Sequence, residues 1–387
     1  MGDERYTIEL KGRIDSSNAA EIEAAVMKQI EDNVGKNPVF DASDLTYISS
    51  AGLRILMKVK KRIGSELLIN EVSPEIYEIF DATGFTSLFT VKKKFRTLSV
   101  DGCKVIGKGF CGTVYRLDED TIVKKYESAE ALSVIEEEKR LAKIAFVAGV
   151  PTAISFDIVK IDDCYGSVFE LIKSKTFIDL IIDNPDGADA TIKRYVDFLK
   201  EVHSIKMDQG VLPKAKDRFL ARLDVISKYI TPEVKDKLYM LISSIPDDYH
   251  FIHGDYQMKN VMLSNGEPIL IDMDSICTGQ PIFDLQGLFV TYVAFTEDDP
   301  ENSMNFSGIT TEMSHRIWNG VLKNYYAGKS DDELEQIESG IKVLSYVRFL
   351  QLIAESEFLQ SGELGKLRIK HTTEHLTELV GKVERII

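Results

Sequence analysis

His253-Gly-Asp-Tyr-Gln-Met-Lys-Asn260, followed by Ile271-Asp-Met-Asp274, contains the polar residues around which this sequence of 387 residues is best understood. The spacing suits phosphoryl transfer, because a carboxylate at Asp255 can accept the proton of an attacking hydroxyl. The amide oxygen of Asn260 and the carboxylate of Asp272 then hold Mg2+ on the nucleotide phosphates. We therefore predict Asp255 and Asn260 as catalytic residues, and Asn260 with Asp272 as metal ligands.

Short apolar runs flank these residues on both sides. Residues 249–252 and 267–271 have the length and composition of buried strands, which places the polar residues at strand ends. The alternative is a surface loop that is rich in Asp and Asn. Four matched positions in the right order argue against that alternative.

The composition is that of a globular protein, and it limits the partners. A net charge of -15 disfavours a nucleic acid and permits a cationic acceptor. The sequence contains no long uncharged apolar run that would predict a membrane span. Its N-terminus lacks the apolar segment of a secretion signal. The scattered cysteines show no C-x-x-C spacing, so we expect reduced thiols, no cysteine metal site and a cytoplasmic location.

Strands alternate with helices over the first hundred residues, which predicts a small α/β unit. Strands are indicated at residues 6–12, 38–43 and 66–70, and helices at residues 18–32, 51–63 and 74–82. Ser17 or Asn18 is expected to cap the first helix, and Ser49 or Ser50 the second. A phosphate at the second cap would meet free N–H groups and the positive end of the helix dipole.

Gly12-Arg-Ile-Asp15 and Ile48-Ser-Ser-Ala-Gly-Leu53 resemble the two signature stretches of the STAS domain, the fold of anti-sigma-factor antagonists. The resemblance implies a regulatory module with a protein partner. In regulatory members, a partner kinase phosphorylates the first hydroxyl of an Asp-Ser-Ser/Thr-Gly-Leu motif, a position that corresponds to Ser50. Here Ser49 replaces the acid and Ala51 replaces the second hydroxyl, and helix capping is the alternative role of both serines.

A glycine-rich stretch follows the N-terminal region. Gly107, Gly109 and Gly112 fit the pattern G-x-G-x-x-G-x-V, and strand-like residues lie on both sides. Glycines are needed where backbone N–H groups approach phosphates without interference from a Cβ atom. We therefore predict these three glycines as part of the nucleotide site.

Two adjacent lysines compete for the next role, which is to bind the α- and β-phosphates. A strand over residues 121–124 ends in Lys124, and Lys125 follows it. Strand alternation puts Lys124 on the face of Ile122 and turns Lys125 away. We therefore predict Lys124 as the phosphate-binding lysine.

A helix is expected over residues 128–148, and one of its acids should orient the lysine. Glu138 is three residues from Ile135 and three from Leu141, so it lies on the buried stripe of this helix. Glu137 is expected to face solvent. We therefore predict Glu138 as the partner of the lysine.

Residues 165–172 resemble the fifth strand and hinge of protein kinases. The resemblance implies that the backbone from Glu170 to Ile172 contacts the adenine edge. His203 ends an amphipathic helix far from the other motifs, and we expect it to have a packing role.

The H-G-D-x-x-x-x-N stretch, the following Ile-Asp pair and Gly279-Gln-Pro-Ile-Phe-Asp-Leu285 resemble the aminoglycoside phosphotransferase and choline kinase group. The resemblance implies ATP with Mg2+, a small-molecule alcohol as acceptor, and a role for Asp284 in orienting the catalytic loop. Gly254 stands where protein kinases have the arginine that senses a phosphorylated activation loop. Only eleven residues separate Asp272 from Asp284, too few for a segment that docks a protein substrate.

These patterns predict an α/β STAS domain followed by an α+β two-lobed protein-kinase-like fold with a helical C-terminal extension. We place the STAS-like domain at residues 1–97, the kinase N-lobe at 98–172 and the C-lobe with its extension at 173–387. The primary hypothesis is an ATP- and Mg2+-dependent phosphotransferase that acts on a small-molecule hydroxyl under the control of the STAS module. The alternatives are a signalling protein whose kinase domain phosphorylates Ser50, and a nucleotide-binding scaffold without catalysis.

Overall fold

The computed structural model describes residues 4–108, 112–128, 130–172 and 174–387. The chain forms two compact units. The first comprises Met1–Gly102 and Ile158–Gly166, and the second comprises Cys103–Asp157 and Ser167–Ile387. Each unit has a hydrophobic core of its own.

The first unit is built on a parallel sheet with helices between the strands. Its elements are β1 (Arg5–Ile14), α1 (Ala19–Asp32), β2 (Asn37–Ile48), α2 (Ser50–Ile63), β3 (Leu68–Val72), α3 (Pro74–Ala82), a 3-10 turn (Phe85–Ser87), β4 (Thr90–Lys93) and the short β5 (Arg96–Thr97). The sheet has the order β1-β2-β3-β4, and each neighbouring pair is parallel. This is the α/β unit expected from the alternation of strands and helices.

Apolar side chains from the strands and from α2 form the core of this unit. Ile8 in β1 lies opposite Phe40 in β2, and both side chains are fully buried. The periodicity of α2 adds Leu56 and Val59, and the helix ends at Gly64 in the left-handed conformation. Each such buried side chain contributes roughly 1.5–3 kcal/mol through removal of apolar surface from water.

One of the two expected helix caps differs from the prediction. Ser49 is the N-cap of α2, and its hydroxyl accepts a hydrogen bond from the Ala51 N–H (3.2 Å). Asn18 precedes α1, but its side chain caps nothing. Its Oδ1 instead accepts from the Asp15 N–H (2.9 Å) and its amide donates to the Arg13 carbonyl (2.7 Å), so it closes the turn after β1.

The second unit begins with a small sheet beside one helix. Its first elements are β6 (Lys104–Lys108), β7 (Gly112–Arg116), β8 (Thr121–Tyr126) and α4 (Leu132–Val147). Of the next two strands, β9 (Asp157–Ile161) belongs to the first unit from Ile158 onward, and β10 (Cys164–Glu170) belongs to the second unit from Ser167 onward. The strand order is β10-β8-β7-β6, and β8-β7 and β7-β6 are antiparallel pairs. Within the first unit, β5 pairs in parallel with β9 through Arg96 and Val159.

The remainder of the second unit is mainly helical and contains two further small antiparallel sheets, β11-β13-β14 and β12-β15. Its strands are β11 (Lys175–Thr176), β12 (His250–Ile252), β13 (Val261–Ser264), β14 (Glu267–Leu270) and β15 (Cys277–Gly279). Its helices are α5 (Phe177–Asp183), α6 (Ala188–Ser204), α7 (Ala215–Ile226), α8 (Pro232–Ser243), α9 (Ile282–Phe289), a π-helical stretch (Val290–Ala294), α10 (Phe295–Asp298), α11 (Asn302–Ser307), α12 (Thr311–Tyr325), α13 (Asp331–Glu355), α14 (Glu357–Gln360) and α15 (Gly362–Lys382), with 3-10 turns at Pro185–Gly187, Met258–Asn260 and Met273–Ser275.

The long helix α13 organises the C-terminal part. It is apolar on several sides and packs against α7, α9 and α15, with Leu344 and Val347 fully buried. A helix with apolar residues around its circumference lies inside a helical bundle. In the part of the chain that the structure describes, neither α13 nor any other helix combines the length and apolarity that crossing a membrane requires.

Gly52 in α2 provides a test of the packing in the first unit. A Cβ atom there would lie 2.7 Å from Ile48 Cγ1 and 2.8 Å from Ile14 Cγ2. We expect Gly52→Ala to destabilise this unit by about 1–3 kcal/mol, because overpacking outweighs the gain in helix propensity. The measurement is urea-dependent hydrogen exchange of the β1 and β2 amides in the full-length protein. Gly381→Ala in α15 is the control, since a Cβ atom there meets nothing within 4 Å; equal exchange in both variants would contradict the packing.

Candidate active site

The predicted catalytic loop follows β12 and is anchored by a buried carboxylate. Asp284 Oδ2 accepts a hydrogen bond from the His253 N–H (2.9 Å), and Asp284 Oδ1 accepts one from the Gly254 N–H (2.6 Å). His203 Nε2 lies 3.0 Å from Asp284 Oδ2, and His203 Nδ1 lies 2.8 Å from the Tyr325 hydroxyl. The expected contact of Asp284 with the loop is therefore present. His203 is buried and packs behind the loop, as expected.

The loop requires glycine at position 254. Gly254 has φ +83°, and a Cβ atom would lie well inside van der Waals contact of the Ser275 carbonyl oxygen. The position therefore excludes a side chain on two grounds, backbone conformation and space. The close approach brings the segment after Asp272 against the loop that carries Asp255.

Asp255 is held by two amide side chains. Gln257 Nε2 donates to Asp255 Oδ2 (3.0 Å), and Asn260 Nδ2 donates to Asp255 Oδ2 (2.9 Å) and to the Asp255 carbonyl (2.9 Å). Burial raises the pKa of Asp255, and the hydrogen bond from Gln257 and the neighbouring His253 counteract that rise. Because Asn260 uses its nitrogen on Asp255, its Oδ1 is left for another partner.

Lys124 joins two of the predicted site residues. Its Nζ lies 3.2 Å from Glu138 Oε1 and 3.1 Å from Asp272 Oδ1. Burial opposes the charge of Lys124, but the carboxylates of Asp272 and Glu138 outweigh burial and raise its pKa. Burial also raises the pKa of Glu138, whereas Lys124 and the Tyr126 hydroxyl, which donates to it, lower that pKa. Glu137, by contrast, is half exposed and pairs with Arg140.

Asp272 follows β14 in a strained conformation. It has φ +68° and ψ +67°, which are rare for a residue with a side chain. Such strain persists only where the surrounding structure fixes it, and it is frequent at functional sites. The Ile271 N–H donates to the Asn260 carbonyl (3.0 Å), so the backbones that carry Asn260 and Asp272 are adjacent.

The oxygen donors present fit a cation that is carried by a nucleotide. The described residues contain no group of three or more His, Cys, Asp or Glu that could hold a metal by itself. Mg2+ bound to phosphates needs only one or two protein oxygens, because phosphates and water complete its shell. The negative charges of Asp272 and Asp274 also raise the pKa of Asp255, a repulsion that a divalent cation would relieve.

Two of the three predicted glycines lie in the described part of the chain. Gly107 is in β6 and Gly112 begins β7. A Cβ atom at Gly112 would overlap the Lys125 carbonyl oxygen in β8, so strand packing also requires this glycine. Gly109 lies outside the described residues.

The predicted hinge is at the end of β10. The Leu171 N–H donates to the Asp120 carbonyl (2.7 Å). The contact of the Glu170 and Ile172 backbone with adenine stays a prediction.

The predicted phosphoserine position lies in the first unit. Ser50 is the first residue of α2 and is exposed. The Ser49 hydroxyl is engaged as the helix cap, as described above. Of the two serines, Ser50 is the more exposed.

Three arginines beside the catalytic loop were missed by the sequence reasoning. Arg218 and Arg222 in α7 and Arg348 in α13 line a cavity of about 40 Å3 together with Gly254 and Ser275. The i, i+4 spacing of Arg218 and Arg222 was the available signal, but it resembles any polar helix face. A larger cavity of about 410 Å3 lies among α12, α13 and α15, and no predicted site residue lines it.

Comparisons with known proteins match both halves of the chain. Residues 102–307, just over half of the sequence, match the family described as the phosphotransferase enzyme family (APH), and residues 3–98 match the STAS domain. BtrV of Bordetella bronchiseptica, provisionally named an anti-sigma factor antagonist, is 39% identical over 85 residues, which cover 21% of this chain and 72% of that protein.

Solved structures of aminoglycoside phosphotransferases also resemble the chain. ADP-bound APH(2'')-Ib is 17% identical and has a TM-score of 0.49, with coverage of 78% of this chain and 98% of that chain. APH(2'')-IIa in complex with gentamicin is 17% identical and has a TM-score of 0.46, with coverage of 78% and 95%. The identification rests on the family matches, which confirm both resemblances inferred from the motifs. The chain therefore belongs to the phosphotransferase enzyme family and carries a STAS domain at residues 3–98.

Proposed function

We propose that this phosphotransferase transfers the γ-phosphoryl group of ATP, with Mg2+, to a hydroxyl group of a small molecule. The observation that carries the proposal is the network of Lys124, Glu138 and Asp272, in the same unit as Asp255 and its amide partner Asn260. The STAS domain, which we place at residues 1–97, regulates the kinase. We place the N-lobe at residues 98–172 and the C-lobe at 173–387.

The proposed reaction is a displacement at phosphorus. The acceptor oxygen forms a bond to the γ-phosphorus, the bond from that phosphorus to the bridging oxygen breaks, and the electron pair leaves with ADP. The acceptor proton passes to Asp255. Because the pKa of Asp255 is raised, it lies closer to the pKa of the acceptor hydroxyl than the pKa of an exposed Asp would. The hydrogen bonds from Gln257 and Asn260 fix the orientation of its carboxylate.

Positive charges hold the phosphates of ATP. Lys124 contacts the α- and β-phosphates, and Glu138 keeps the ammonium group in place. Gly107, Gly109 and Gly112 let backbone approach the phosphates, and the backbone of residues 170–172 contacts adenine. Asn260 Oδ1 and Asp272 would hold Mg2+, which neutralises phosphate charge when bound.

The short segment after Asp272 favours a small acceptor over a protein. The 3-10 turn Met273–Ser275, β15 and the start of α9 occupy the chain between Asp272 and Asp284. Ordered elements therefore fill the positions where an activation segment would be needed.

A second candidate function is a phosphorylation switch at Ser50, in which the kinase domain modifies a STAS serine. The exposed position of Ser50 at the start of α2 and the similarity of this region to an anti-sigma factor antagonist favour it. A phosphate there would meet free N–H groups of the first helical turn. The departures at Ser49 and Ala51 make it secondary.

The first prediction concerns the base. We expect Asp255→Asn to lower kcat by about 100- to 10,000-fold, because the amide cannot accept the proton, while ATP binding persists. The measurement is transfer of labelled phosphate to pooled small alcohols, with Mg-ATP binding determined by calorimetry. Asp189→Asn, a mainly exposed partner of Arg316, is the control and should match the wild type. Undiminished transfer by Asp255→Asn would refute the assignment.

The second prediction concerns Asp284 as a positioning residue. In Asp284→Asn, the amide nitrogen cannot accept from the loop backbone. We expect a loss of stability of about 1–3 kcal/mol, and a fall in kcat of roughly 100-fold with little change in the KM for ATP. Steady-state kinetics and hydrogen exchange at residues 253–255 measure the two effects. An intact kcat with faster exchange would mean that the contact stabilises the fold without positioning Asp255.

The third prediction separates the two candidate functions. If the switch operates, incubation with Mg-ATP adds a phosphate to Ser50 and none to Ser49, whose hydroxyl is engaged. Mass spectrometry of the wild type, Ser50→Ala and Asp255→Asn detects it, and both variants should lack the phosphate. Label on small molecules alone, with an unmodified chain, would eliminate the switch as an activity of this kinase.

A further inference from the structure

The cavity lined by the three arginines is also lined by residues that are adjacent in sequence to Asp255 and to Asp274. Gly254 directly precedes Asp255, and Ser275 directly follows Asp274; both line the cavity. Arg218 Nη1 donates to the Ser275 carbonyl (2.6 Å). The cluster is therefore at the edge of the phosphoryl-transfer site and within the second unit.

In the described part of the chain, none of the three guanidinium groups forms an ion pair with a carboxylate. Arg348 Nη1 donates to the neutral Gln351 (2.5 Å). Arg222 stacks on the Phe219 ring at 4.0 Å, and its buried Nη1 has no hydrogen-bond partner among the residues that the structure describes.

Such a cluster is electrostatically unfavourable without an anion. Burial, followed by the positive charge of Arg348, lowers the pKa of Arg222 to about 9. Burial also lowers the pKa of Arg348, although the more distant charges of Asp255, Glu355 and Asp274 oppose the change. Like charges that share a partly dry cavity require a counter-charge.

A second buried polar atom without a partner belongs to a residue that lines the same cavity. Gln286 donates through Nε2 to the Phe283 carbonyl (2.9 Å), but among the described residues its buried Oε1 has no hydrogen-bond partner. Arg222 and Gln286 thus both line the cavity, and each carries one unsatisfied polar atom. An occupant with anionic oxygens would accept hydrogen bonds from the guanidinium groups around it.

We propose that this cavity binds an anionic group of the acceptor, so that the enzyme phosphorylates a small alcohol that also carries a carboxylate or a phosphate. The inference rests on the proposed function of Asp255. Guanidinium groups bind carboxylate and phosphate in a forked geometry, and about 40 Å3 accommodates such a head group. The net charge of -15 permitted a cationic acceptor, but the local charge of the cavity favours the opposite sign.

The first arm of the test uses inorganic phosphate as the probe. Calorimetry on the full-length protein with saturating Mg-ADP should show phosphate binding by the wild type and by Asp255→Asn. Arg222→Gln should weaken binding by about 10- to 100-fold, since a charge-assisted hydrogen bond is lost. Arg222→Lys, which keeps the charge without the fork, should be intermediate. Arg316→Gln, an exposed arginine paired with Asp189, should bind like the wild type.

The second arm measures transfer from ATP to four matched alcohols: glycerate, glycerol 3-phosphate, glycerol and choline. We expect turnover of an anionic alcohol to exceed that of glycerol and choline. Arg222→Gln should raise the KM for the anionic alcohol by about 10- to 100-fold and leave the KM for ATP unchanged.

The two arms distinguish a failure of the acceptor assignment from a failure of the proposed kinase function. Preferred turnover of choline, absence of phosphate binding, or an equal rise in the KM for ATP would overturn the anionic acceptor while leaving the kinase activity in place. Arg222-dependent phosphate binding without transfer to any alcohol would overturn the proposed function and the acceptor assignment with it, and would leave only an anion site. If Arg222→Gln does not fold, Arg222→Lys and the binding profile of the wild type decide the outcome.

Discussion

The geometry of the catalytic loop depends on the buried carboxylate of Asp284. A carboxylate removed from water is costly unless donors replace its hydration. Here the donors are the backbone N–H groups of His253 and Gly254, with His203 at 3.0 Å on one oxygen. The same contacts that satisfy Asp284 tie α9 and α6 to the end of β12. The backbone before Asp255 is therefore fixed by hydrogen bonds that a flexible surface loop would not make.

A second constraint acts on the positive charge of Lys124. Lys124 is brought between Glu138 and Asp272 by β8, α4 and the segment after β14, so three distant parts of the sequence converge on one ammonium group. These two ion pairs keep the site assembled, because the largely buried charges of Lys124 and Glu138 would otherwise lack a partner. The strained backbone of Asp272 fits this view, since the carboxylate reaches Lys124 from a conformation that the chain does not favour by itself.

Local periodicity was sufficient to predict much of this site. Strand alternation selected Lys124 over Lys125, and the buried stripe of α4 selected Glu138 over Glu137; the Lys124–Glu138 contact follows from both choices. Both decisions depend on geometry within one element. The Asn18 cap was wrong because its side chain joins the turn after β1, an interaction that its position before a helix does not reveal.

The arginine cavity could not be predicted in the same way, because α7 and α13 meet only through tertiary packing. Arg218 and Arg222 look like a solvated helix face, and Arg348 lies in the stretch 340–353 of a long helix, where most residues are buried. Net charge could not predict the cavity either, since a sum over the whole chain contains no information about the charge of one cavity.

Gly254 explains why the positive charge comes from these helices. A left-handed backbone pressed against the Ser275 carbonyl leaves no room for any side chain at the position where protein kinases carry an arginine. A positive charge at this position then has to come from other elements of the chain. Arg218 and Arg222 in α7 and Arg348 in α13 line a cavity together with Gly254. Their charge is fixed by the scaffold and does not depend on an activation segment, which suits recognition of a small anionic acceptor.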